Sequence, residues 1–222
     1  RRRDGVLVPV PQYPLYSALT ALADGSFVTY YLDEVAGWGL NADEVRMQLA
    51  KARLKNVSVR ALVVINPGNP TGNCLPEEDM REIVKLCAEE GLVLMADEVY
   101  QENVYGDRPF ISFRKVAMDL VHTADYSKGG LQLVSFHSCS KGFLGECGLR
   151  GGYLELFGIP NDVRAELSKL ASISLCSNTP GQLACGLMVR PPKEGEPSYQ
   201  KYITEKDAIL DSLKRRAASV SE

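Results

Sequence analysis

The chain has no Cys-x-x-Cys pair, only two histidines, no apolar run long enough to cross a membrane and no signal peptide. Each absence removes a class of function. Cys74, Cys87, Cys139, Cys147, Cys176 and Cys185 are six cysteines in 222 residues, which is not a disulfide scaffold. Several sit in apolar or small-residue surroundings, as buried free thiols do, and this fits a reducing intracellular compartment, cytoplasmic or organellar (mitochondrial or peroxisomal). His122 and His137 lie far apart, without the ligand spacing of a zinc site. The net charge is −3 with no basic stripe, which argues against a nucleic-acid partner. Neither Gly-x-Gly-x-x-Gly nor Gly-x-x-x-x-Gly-Lys-Ser/Thr occurs, which removes the common nucleotide-binding loops. The chain opens without methionine on Arg1-Arg2-Arg3 and ends in a charged helical stretch, so a fragment is expected.

What is present alternates between short apolar runs and amphipathic stretches. Val6 to Val10 and Phe27 to Leu32 read as strands, separated by a helix over Leu15 to Ala23 that starts behind Pro14. Asn41 is an expected N-cap with Glu44 as its capping-box partner, opening a helix that runs to about Lys55. Ala61 to Ile65 and Leu92 to Ala96 are continuous apolar runs, the pattern of strands buried on both faces. Between them Pro76, Glu77, Glu78 and Asp79 begin a helix that Gly91 ends. Leu131 to Phe136 and Gly152 to Phe157 are further strands, and helices are expected over Asn161 to Ser172, Thr179 to Val189 and Tyr199 to Ala218. This alternation predicts an α/β fold with a mostly parallel sheet, in which ligands bind beyond the carboxyl ends of the strands.

Three polar clusters follow strand ends: Asn66 to Gly72, Asp97 to Tyr100, and Ser138 to Arg150. Together they suit a cofactor with an aldehyde, a phenolic oxygen, a ring nitrogen and a phosphate. Lys141 can form an imine with the aldehyde. Asp97 can keep a pyridine nitrogen protonated, and Tyr100 and Asn69 can hydrogen-bond the phenolic oxygen. Ser138, Ser140 and Arg150 can bind phosphate, and Tyr13 can stack on the ring. Each residue also has a plainer reading. Asp97 can cap its own turn, Asn69 is a common turn residue, Tyr13 and Tyr100 can be ordinary half-buried tyrosines, and Arg150 can pair with Glu146.

Asn66-Pro67-Gly68-Asn69-Pro70-Thr71-Gly72, Asp97-Glu98-Val99-Tyr100 and Ser138-Cys139-Ser140-Lys141 with the later Arg150, in that order, resemble the fold type I, class I/II aminotransferases that use pyridoxal 5′-phosphate. The resemblance covers nearly the whole chain. It is greatest to the alanine aminotransferase branch, through Pro9 to Ser17, Ala96 to Tyr105 and Ser140 to Tyr153. The loop between Lys141 and Arg150 is one residue longer than in most of the superfamily, as it is in that branch. Glutamate–glyoxylate aminotransferases are nearly as similar, and Pro109-Phe110-Ile111-Ser112 leans their way.

The resemblance implies a three-layer α/β/α domain, with Lys141 as the Schiff-base lysine and Asp97 at the pyridine nitrogen. It puts Asn69 and Tyr100 at the phenolic oxygen, Ser138, Ser140 and Arg150 at the phosphate, and Tyr13 on the ring. The implied reaction is ping-pong transamination between L-alanine and 2-oxoglutarate, giving pyruvate and L-glutamate, in a homodimer without metal. Residues 1–190 are expected to be the central part of the cofactor-binding large domain. Residues 191–222, from Pro191-Pro192 onward, are expected to be a linker and long helix leading toward a small domain outside this sequence. The family's N-terminal phosphate loop and its substrate-carboxylate arginine are also outside it, so the isolated stretch is expected to hold cofactor poorly or not to turn over. Another reaction on the same scaffold, such as a lyase or carbon–sulfur cleavage, and a non-catalytic relative are the rival readings.

Overall fold

The computed structural model describes residues 3–121 and 130–221, without the side chain of Ser221; Arg1, Arg2 and His122 lie outside the described residues. Six strands form one sheet in the order β2-β1-β3-β4-β5-β6. They are β1 Arg3–Val10, β2 Ser26–Tyr31, β3 Val57–Ile65, β4 Val93–Asp97, β5 Gln132–Ser138 and β6 Gly152–Phe157. The first five pair in parallel, and β6 closes one edge antiparallel to β5, with Ser138 opposite Gly152. The helices are α1 Leu15–Leu22, α2 Ala42–Leu54, α3 Glu77–Glu90, α4 Phe113–Val121, α5 Asn161–Ser172, α6 Thr179–Val189 and α7 Tyr199–Ser221.

The sheet is buried unequally on its two faces, and alternation along β3 records it. Leu62 and Val64 point into the main core with Val45 and Leu49 of α2, Ile83 and Leu86 of α3, and Phe113 and Val116 of α4. Val63 and Ile65, one residue out of phase, join Val8, Met95 and Tyr16 on the opposite face. The continuous apolar run of β3 thus comes from a strand with a packed layer on each side. Among the described residues no helix is long and apolar enough to cross a membrane.

Most expected boundaries match to within a few residues. α3 begins at Glu77 with three acidic residues in its first turn and ends at Gly91, whose φ of 65° is a left-handed cap that glycine adopts without strain. The expected capping box does not form. Asn41 caps α2 by accepting from the Asp43 amide at 2.7 Å, but Glu44 turns to the sheet, where its Oε1 accepts from the Tyr31 amide at 3.2 Å and from Gln48 Nε2 at 2.8 Å. The amide at the end of an edge strand competes successfully for the carboxylate.

The chain leaves β1 to form β2 on one side, then returns across it to form β3 on the other. This reversal between β1 and β3 opens a crevice at the carboxyl ends of the strands. The ends of β1, β3, β4 and β5 all deliver their loops there.

Candidate active site

A cavity of about 530 Å3 lies at those strand ends. Tyr13, Asn69, Asp97, Tyr100, Ser138, Ser140, Lys141 and Arg150, drawn from four separate loops, all line it. Its floor is the less covered face of the sheet, with Val6, Val63, Ile65 and Met95.

Asp97 is the last residue of β4 and 9% exposed. Its Oδ2 accepts from the Tyr16 phenol at 2.7 Å, and its Oδ1 is 3.5 Å from the Val99 amide. Both donors are neutral. A nearly buried carboxylate served by neutral donors favours a cation, such as a protonated ring nitrogen. The Val99 contact is the turn-capping bond of the plainer reading, so Asp97 caps its turn with one oxygen and faces Tyr16 with the other. Tyr16 lines the cavity from the first turn of α1, and sequence reasoning passed over it. Burial, and then the charge of Asp97, raises its phenol far above the ordinary tyrosine range, so it remains a donor. Its place in the first turn of a helix that starts just beyond the β1 carboxyl end is the signal that could have found it.

Asn69 and Tyr100 stand side by side: Asn69 Nδ2 donates to the Tyr100 hydroxyl at 3.2 Å. Lys141 Nζ stands 5.3 Å from the centre of the Tyr100 ring. The lysine is exposed at the cavity wall, where a carbonyl compound can reach it. Tyr13 is 46% exposed, with its ring open to the cavity.

The expected phosphate residues stand together but are engaged locally. Ser138 Oγ donates to the Gly151 carbonyl at 3.2 Å and accepts from the Ser140 amide at 3.1 Å. Arg150, with a left-handed φ of 52°, donates from Nη1 to the Cys147 carbonyl at 2.8 Å. It therefore folds onto its own loop instead of pairing with Glu146. His137, behind the turn, shares a 3.1 Å hydrogen bond with Gln101 and meets the Tyr153 ring edge-on at 5.7 Å.

The turn after Lys141 is held by α7. Phe143 packs edge-to-face on Tyr202, with ring centres 5.9 Å apart, and Lys206 Nζ lies 4.9 Å from the Phe143 ring centre. Lys206 also pairs with Glu102 at 3.1 Å, and the Gly142 amide donates to Asn103 Oδ1 at 3.0 Å. At Gly142 φ is +66°, a left-handed conformation that L side chains rarely adopt, and an added Cβ would stand 2.7 Å from Glu102 Oε2.

The chain belongs to the aminotransferase class I and II family, whose family model matches residues 1–221. Among curated relatives it is 57% identical over 221 residues to alanine aminotransferase 1, mitochondrial, of Arabidopsis thaliana, covering 99% of this chain and 40% of that protein. It is 52% identical over 222 residues to glutamate–glyoxylate aminotransferase 2 of the same plant, covering 100% of this chain and 46% of that protein. A solved alanine aminotransferase from Pyrococcus furiosus superposes with a TM-score of 0.77 at 26% identity, over 98% of this chain and 49% of that one. The chain thus spans less than half the length of these relatives.

Proposed function

We propose that this chain is the cofactor-binding part of a pyridoxal-phosphate-dependent aminotransferase that moves an amino group from L-alanine to 2-oxoglutarate, giving pyruvate and L-glutamate. The observation that carries the reading is the buried Asp97 carboxylate, with neutral donors only, lining the same cavity as the Lys141 amine and the Asn69–Tyr100 pair. The mitochondrial alanine aminotransferase at 57% identity supports the substrate pair.

Pyridoxal phosphate, when bound, supplies an electron-withdrawing ring that stabilises negative charge at the substrate's α-carbon. The chain's residues divide the remaining work. Asp97 keeps a proton on the ring nitrogen, with Tyr16 holding one carboxylate oxygen in place. The Tyr100 hydroxyl accepts from Asn69, which leaves its own proton free to donate to a phenolic oxygen. Ser138, Ser140 and Arg150, which line the cavity together, would hold the phosphate. Tyr13 offers a ring face. The Lys141 amine would hold the cofactor and, once released, would serve as general base and acid, taking the α-proton from the amino acid that gives up its nitrogen and later supplying one to the α-carbon of the 2-oxo acid that receives it.

Residues 1–190 form the central part of the large domain in this reading, and 191–222 lead toward a small domain. The working enzyme is a homodimer in a reducing compartment, cytoplasmic or organellar. Turnover belongs to the whole protein. Glutamate–glyoxylate transamination is the second reading, favoured by the 52% identical relative.

The test is borohydride reduction of the whole protein with pyridoxal phosphate, followed by peptide mass mapping. Label on Lys141, absent in Lys141→Ala, supports the reading; label scattered over surface lysines overturns it. Assays of the whole protein with alanine or glutamate against 2-oxoglutarate or glyoxylate then separate the two substrate pairs.

A further inference from the structure

Cys139 lies between Ser138 and Ser140, two residues before Lys141, and is fully buried. Its thiol donates to the Gly151 carbonyl at 3.2 Å. Cys185, 46 positions later on α6, is half-buried. Gly151 shows how closely the two approach. A Cβ built on it would stand 3.0 Å from Cys139 Sγ, 3.0 Å from Cys185 Sγ and 2.5 Å from the Gly181 carbonyl. Both sulfurs therefore border the same point in space, beside a residue that has no side chain to fill it. The α6 end is fastened to the same loop, since Asn178 Nδ2 donates to the Arg150 carbonyl at 3.3 Å.

We propose that Cys139 and Cys185 form a reversible disulfide that locks the Lys141 turn to α6. The oxidant is a small-molecule disulfide of the glutathione class. The Cys185 thiolate, the more accessible of the two, attacks one sulfur of that disulfide, forming a mixed disulfide and releasing one thiolate. The Cys139 thiolate then attacks the Cys185 sulfur, forming the internal S–S bond and releasing the second. The protons lost by the two cysteines end on the two released thiols, so two cysteine thiols are oxidised and one external disulfide is reduced. The cross-link ties the β5 end, and with it Ser138, Ser140 and Lys141, to α6. It is read on the protein alone, while its bearing on catalysis rests on the function proposed above.

The chain is incubated with glutathione disulfide without cofactor, its remaining thiols are alkylated, and it is mapped by mass spectrometry. Cys176 shares a tryptic peptide with Cys185, so the Cys176→Ser variant is used. The expected result is a peptide ending at Lys141 joined to the Cys185 peptide, released by dithiothreitol, with amide exchange over residues 140–146 slowed at least about threefold. Cys185→Ser, which leaves the buried thiol in place, gives neither change while melting like the parent under reducing conditions. No joined peptide, Cys185 joined to another cysteine instead, or a joined peptide with unchanged exchange overturns the proposal. Failure of pyridoxal phosphate to label Lys141 in the reduced whole protein would count against the proposed function and leave this result standing.

Discussion

The Tyr16 phenol donates to Asp97 Oδ2 at 2.7 Å, joining the start of α1 to the end of β4 across 81 positions of sequence. Raised by burial and by Asp97 itself, the phenol keeps its proton at every pH the fold tolerates, so the bond is a constant donor and not a switch. Tyr16→Phe is expected to leave the label on Lys141 and lower transamination by the whole protein about tenfold, the low end of what one hydrogen bond to a charged group is worth. Asp97→Asn removes the charge and is expected to lower it at least about a hundredfold. Equal losses in the two variants would show that Tyr16 does more than hold the carboxylate.

Lys141 is exposed and carries little of the packing. Lys141→Ala is expected to abolish borohydride-stable cofactor attachment while changing unfolding free energy by less than about 0.5 kcal/mol. Chemical denaturation of the two chains, read by circular dichroism, checks the second half of the statement.

Burial holds the Glu98 carboxyl at about 7 against its ordinary 4.5, with Glu155 and Asp97 adding to the rise and the Phe113 amide, at 2.7 Å, opposing it. Between these values the folded chain keeps a proton that the unfolded chain has released. The associated stability is present below about pH 4.5 and is lost as pH climbs to about 7, by at most about 3 kcal/mol. Glu98→Gln still accepts from the Phe113 amide through its carbonyl oxygen. Its melting temperature is expected to vary less over that window than the parent's.

Gly158 has φ +66°, and a Cβ there would stand 1.9 Å from the Leu131 carbonyl. Gly158→Ala is expected to destabilise the chain by about 3 kcal/mol, from left-handed strain and overpacking between the β5 and β6 ends together. Urea denaturation measures it. Gly186, where nothing lies within 4 Å of the added atom, is the control.

The strands were legible because apolar runs such as Ala61 to Ile65 have one physical use in an alternating α/β chain. The clusters after them converge because parallel strands deliver their carboxyl ends to one side. Contacts between side chains remote in sequence were not legible. Tyr16 meets Asp97, and Cys139 meets Cys185, only once the sheet order is known. Glu44 shows the limit of local rules: its spacing from Asn41 suits a capping box, but the Tyr31 amide of the neighbouring strand takes the carboxylate. The antiparallel direction of β6 carries no signature in Gly152 to Phe157, since an edge strand reads alike in either direction.

Phe143, gripped between Tyr202 and Lys206, makes α7 a lever whose short arm ends two residues from the Lys141 amine. Were α7 to tilt, Phe143 would carry the displacement into the turn, and Lys206 would pull on Glu102 at the same moment. On the proposed function, the Lys141 nitrogen is thereby coupled through Phe143 to a helix of 23 residues.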